Sequence, residues 1–79
     1  MTSDFEFSEH ATERMEERKV TKEEVLETIN SPDEIEHDED GKPRYVKIII
    51  NKGKKLKVVV NEEKEPNLVV TVFLERLRR

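Results

Sequence analysis

The sequence predicts an α+β domain with two N-terminal helices packed on one face of a four-stranded antiparallel sheet, in the order ααββββ. Apolar residues recur with a helical period up to Asn30 and with a period of two from Asp33 onward. Turn signals at Asp40-Gly41, at Asn51-Lys52-Gly53 and around Pro66 divide the second half into short strands. Seventy-nine residues make one domain, 1–79, whose single core holds little net stability unless something reinforces it.

Each element has a local reason. Ser8 is an N-cap with Phe7 before it as an apolar anchor, and the first helix runs from there to Arg18 or Lys19. Thr21-Lys22-Glu23-Glu24 reads as a capping box, with Val20 and Val25 as its hydrophobic staple. The second helix buries Val25, Leu26 and Ile29 and stops before Pro32. Glu34 to Asp38 is a weak acidic strand, Arg44 to Ile50 a strong one, Lys55 to Asn61 a third and Leu68 to Leu74 a fourth. Strict alternation puts Val46, Ile48, Ile50, Leu56, Val58, Val60, Leu68, Val70, Val72 and Leu74 on the helix-covered face. The opposite face then carries Tyr45, Lys47, Ile49, Lys55, Lys57, Val59, Val69, Thr71 and Phe73. That much apolar sheet surface is expected to be covered in the native assembly, by a second subunit or by a ligand.

Composition narrows the classes. Without cysteine, neither disulfides, thiolate metal sites nor a cysteine nucleophile are available, and a cytoplasmic location is expected. No apolar run approaches the roughly 20 residues of a membrane span, and the acidic start is unlike a signal peptide. Charged residues make up 43% of the chain, a bias that resembles proteins of hot environments, where ion-pair networks gain value. The net charge of −4 hides a segregation: residues 1–40 carry −11 and residues 41–79 carry +7. Either the acidic helices neutralise the basic sheet within one molecule, or the sheet binds a polyanion.

The candidate chemistry lies in His10, Arg14 and Arg18, which fan over about 80° of the first helix beside the Ala11 and Met15 stripe. Metal-free RNA cleavage needs a proton acceptor for the 2′-hydroxyl, a cation for the phosphate and an acid for the leaving oxygen. His10 and Arg14 offer the first two, Lys47 and Lys57 add charge, and Thr71 offers a hydroxyl. Tyr45 and Phe73 offer rings for bases or sugars. The plainer alternative is a locally hydrogen-bonded His10 with Arg14 and Arg18 paired to Glu13, Glu17 or the second helix. His37 reads as a solvated residue. No ligand spacing for a metal and no phosphate-cradling glycine loop is present, so no cofactor is expected.

The run His10-Ala11, Glu13-Arg14-Met15, Glu17-Arg18, Val20-Thr21 and Glu24-Val25 resembles a family of small uncharacterised bacterial and archaeal domains with an H-A-x-x-R-M-x-x-R-x-[IV]-[ST] signature. Leu56 to Val60 and Val69 to Phe73 look like that family's closing strands. The family is similar to the RelE, ParE and BrnT toxins of the barnase-EndoU-colicin-RelE fold. The resemblance therefore implies a RelE-like fold and a ribonuclease or ribosome-directed toxin, with RNA or the ribosome and a cognate antitoxin as partners. It puts His10 and Arg14 first, Arg18 in support and Thr71 as a hydroxyl donor. Lys19 stands where the family ends its first helix with glycine, so an exit other than a left-handed one is expected there. The expected function is a toxin-like RNA-binding domain with metal-independent ribonuclease activity. A non-catalytic homodimeric or partner-binding module is the alternative.

Overall fold

A computed structural model describes residues 5–77. In chain order the elements are β1 (Phe5–Phe7), α1 (Glu9–Arg18), α2 (Lys22–Asn30), β2 (Glu34–His37), β3 (Pro43–Ile49), a 3-10 turn (Ile50–Lys52), β4 (Lys54–Asn61) and β5 (Asn67–Arg76). The sheet has five strands in the order β1-β5-β4-β3-β2. β2 to β5 form the expected antiparallel meander, while β1 joins β5 in parallel, so the sheet is mixed and not purely antiparallel. Phe-Glu-Phe is too short to show a period of its own. It becomes a strand because Phe5 and Phe7 pack on the core while the backbone pairs with a segment about 60 residues away, Phe7 lying opposite Val69.

Both helix starts follow their local signals. The Ser8 hydroxyl accepts from Ala11 N–H at 3.0 Å. At Thr21 the capping box is complete: Glu24 N–H donates to Thr21 Oγ1 at 3.1 Å and Thr21 N–H to Glu24 Oε1 at 2.9 Å. The end of α1 corrects the expectation at Lys19, which adopts the left-handed conformation with φ 58° and ψ 45°. Val20 N–H reaches Met15 O at 2.8 Å and Lys19 N–H reaches Glu16 O at 3.3 Å, the paired bonds of a Schellman ending. Val20 and Met15 are both buried in the core. That apolar contact at the foot of the turn holds a residue with a Cβ in a conformation glycine would take more easily.

The helices cover one side of the sheet, α1 over β5 and α2 over β4 and β3. Ala11, Met15, Val20, Val25, Leu56, Val58, Val60, Val69 and Val72 form the core. The phase of β3 is opposite to the expected one. Tyr45 lies across from Val58 and Lys47 across from Leu56, so Tyr45, Lys47 and Ile49 face the helices and Val46 and Ile48 face away. Both phases of Tyr45 to Ile50 are largely apolar, so alternation cannot choose between them. The polar ends that this phase brings inward find partners: Lys47 Nζ donates to Ser31 O at 3.0 Å and Tyr45 OH donates to Glu62 Oε2 at 2.7 Å.

A second correction falls on β5. Val59 pairs with Thr71 but Val60 pairs with Val69, which makes Val70 the extra residue of a β-bulge. Val72 and Leu74 point inward as expected, whereas before the bulge Val69 enters the core in place of Leu68 and Val70. The bulge also anchors α1. Ser8 Oγ donates to Val70 O at 2.7 Å, and Ser8 N–H donates to Val69 O at 3.0 Å.

Candidate functional site

The three side chains of the α1 stripe are accessible. His10 and Arg18 are exposed and Arg14 is half-buried, as expected for the border of a helix whose Ala11 and Met15 enter the core. Among the described residues His10 has no side-chain hydrogen bond, and neither arginine has a carboxylate within ion-pair distance. The pairing of Arg14 and Arg18 with Glu13, Glu17 or α2, which would have used up their charge, is not present. Arg18 stands in the last turn, where the helix dipole favours a cation. The stripe can therefore offer two guanidinium forks to a phosphate and an imidazole to a proton. It brings no second acid or base within hydrogen-bond reach of His10 among the described residues.

The other sequence-predicted residues divide between the two faces of the sheet. Tyr45 and Lys47 lie on the helix side with their polar ends already bonded, so the two are not on the open face expected for them. Loss of solvent pushes the Tyr45 phenol up to about 12, and its bond to the Glu62 carboxylate adds to the shift. Lys57, Thr71 and Phe73 do share the open face, in neighbouring rows: Thr71 lies beside Val59, and Phe73 beside Lys57. Here the expectation that a second subunit or ligand is needed for cover meets a simpler arrangement. Val59 and Thr71 are buried within the monomer, while Ile48, 41% exposed, and Phe73, 40% exposed, stand out.

Sequence reading missed Arg44, Glu36 and Glu75, which lock this face together. Arg44 Nη1 lies 3.5 Å from Glu36, and Lys57 Nζ lies 3.9 Å from Glu36 and 3.5 Å from Glu75. The row Arg44, Val59, Thr71 follows from strand register and becomes visible only once the bulge is known. Arg44 Nε and Thr71 Oγ1 are buried without a hydrogen-bond partner among the described residues. His10, Arg14 and Arg18 are thus separated from Lys57, Thr71 and Phe73 by the thickness of the sheet.

A cleft of about 320 Å³ opens between α2 and the end of β3, lined by Glu24, Glu27 and Thr28 on one side and Lys47 to Asn51 on the other. Lys52 bridges its rim to Glu24 at 2.9 Å. Thr21 N–H, and after it Lys52, hold the Glu24 carboxyl below the usual carboxylate range. The cleft exists because β2 begins opposite Val46 and leaves the last residues of β3 without a strand neighbour on that side. Nothing in the local sequence signals it. Among the described residues no three His, Cys, Asp or Glu side chains gather to hold a metal ion, and no helix is long and apolar enough to cross a membrane.

No curated protein matches the chain, and no solved structure does. A family model described as Domain of unknown function (DUF4258) matches residues 7–74, a span that takes in α1, α2, β2, β3, β4 and most of β5 together with the His10 to Val25 motif. On that match, over nearly the whole domain, the chain belongs to the DUF4258 family.

Proposed function

We propose that this domain is an RNA-directed, toxin-like module of the RelE, ParE and BrnT kind, which engages RNA phosphate through Arg14 and Arg18 and uses His10 for proton transfer. The observation that carries this reading is the accessibility of the α1 stripe together with its lack of carboxylate partners among the described residues, in a chain with 19 acids. In cleavage, His10 takes the 2′-hydroxyl proton as the 2′-oxygen attacks phosphorus. The arginines stabilise the charge on the phosphate, and the 5′-oxygen leaves with a proton from water. With no second acid beside His10 among the described residues, slow metal-independent turnover is expected. Lys47 and Lys57 lie outside this path because Ser31, Glu36 and Glu75 already hold their ammonium groups.

Filter binding of single-stranded RNA at two salt concentrations tests the reading. Each Arg→Ala change at 14 and 18 is expected to flatten the salt slope by about 0.7, whereas Lys57→Ala leaves it unchanged. His10→Ala is expected to keep binding and to lower cleavage by about 10² to 10⁴. Negligible RNA affinity at low salt, or a slope that responds to Lys57 and not to the arginines, rules the reading out. A partner-binding module is the second reading, favoured by exposed Ile48 and Phe73 on an open face whose cations are largely matched by Glu36 and Glu75.

A further inference from the structure

We infer that the cleft between α2 and the end of β3 is a homodimer seat, in which Ile50 of each copy enters the cleft of the other across a two-fold axis. Ile50 is 81% exposed, the most exposed of the large apolar side chains among the described residues, and it stands on the wall of the cleft it would fill in a second copy. A knob beside a matching hole on one surface is the self-complementary arrangement that a two-fold interface requires. The floor is apolar where it needs to be: Thr28 is fully buried with its hydroxyl bonded to Glu24 O at 2.8 Å, and Ile49, on the helix side of β3, supplies the adjacent methyl groups.

Two further observations select a second copy over an extended peptide. β3 has an uncovered edge here, which in principle invites strand addition. The Asp33 carboxylate, however, already accepts from Ile48 N–H at 2.7 Å, at the point where an added strand would bond. The seat is thus left for a side chain. The charges on the two walls are also complementary. Glu24 and Lys52 already pair within one copy, which leaves Glu27 on the α2 wall and Lys54 beyond the opposing turn without an ion-pair partner among the described residues. Exchange of walls by a two-fold axis sets Glu27 of each copy against Lys54 of the other, twice over. This surface does not include His10, Arg14 or Arg18, so the inference stands independently of the RNA reading.

Sedimentation velocity on the full chain over a range of concentrations provides the test. The wild type is expected to reach twice its 9.4 kDa mass below about 1 mM, the edge of measurable specific association. Ile50→Asp and, separately, Glu27→Lys are expected to return it to a monomer that unfolds at the midpoint of the dilute, monomeric wild type, since both side chains are exposed within one copy. Ile50→Leu is expected to keep the dimer, and Phe73→Asp, on the open sheet face, to leave it intact. A monomer at every concentration would show that the cleft serves a different chain or none, and overturns the proposal. So does a dimer that survives both Ile50→Asp and Glu27→Lys, or one that Phe73→Asp dissolves.

Discussion

Tyr45 was legible as an aromatic on a strand, but its face and its partner were not. Its hydroxyl donates to Glu62, which lies 17 residues later, beyond the β4 strand. The phenol is pushed from its ordinary value of 10.0 up to about 12, first by burial and then by the Glu62 bond. Between these values the unfolded chain has lost its phenolic proton while the folded protein keeps it. The folded state then binds more protons, and stability falls as pH rises through this window, the contribution being complete below pH 10. The chain has one tyrosine and no tryptophan, so an ultraviolet absorbance titration reads this group alone. The midpoint is expected near 12 in the folded protein and lower in Glu62→Gln; a wild-type midpoint at 10 would refute the buried, bonded phenol. His10 and Arg14 were more legible, because their exposure follows from helical spacing beside Ala11 and Met15.

At the scale of elements, the helix starts were local and the α1 ending was not. Ser8 and Thr21 cap within three residues of themselves, so their sequence signals suffice. The left-handed turn at Lys19 runs against its own sequence preference, and what stabilises it is burial of Met15 and Val20 under the sheet. Lys19→Gly is expected to raise stability by about 1 kcal/mol, because glycine enters this conformation without the Cβ penalty and its extra freedom in the unfolded chain offsets only part of the gain. Urea unfolding measures it; a loss of stability would mean that the lysine makes a favourable contact outweighing the strain. The phase of β3 and the bulge at Val70 belong to this scale too. Alternation in Tyr45 to Ile50 fits either face, and a one-residue bulge inverts the inward set without altering composition.

Across the whole molecule, the charge segregation is used internally to a large extent. Lys42 with Asp40, Arg44 and Lys57 with Glu36, and Lys52 with Glu24 all join the acidic first half to the basic second half. Only the Lys57 pair with Glu75, among the ion pairs of the described residues, lies within one half. Attraction between the halves is then expected to outweigh repulsion from the net charge of −4. These pairs are mostly solvent-exposed and individually weak, and salt screens them. Stability is therefore expected to fall by about 1 kcal/mol or less as sodium chloride rises from roughly 0.02 to 0.5 M, where the screening length shortens several-fold. Urea midpoints at the two salt concentrations decide the sign; a rise would mean that net repulsion dominates.

The sequence by itself determined the α+β class, both helices with their caps, the four-strand meander and the placing of His10, Arg14 and Arg18 along one side of the first helix. Each of these rests on contacts or periodicities spanning a few residues. Tertiary structure decided the parallel strand at Phe5–Phe7, the faces of Tyr45, Lys47 and Val69, the lock of Lys57 between Glu36 and Glu75, and the cleft beside Ile50. Those features depend on register between distant segments. Register is set by which pairing buries the most apolar surface while leaving each polar end a partner, and that sum is available only when all five strands are assembled.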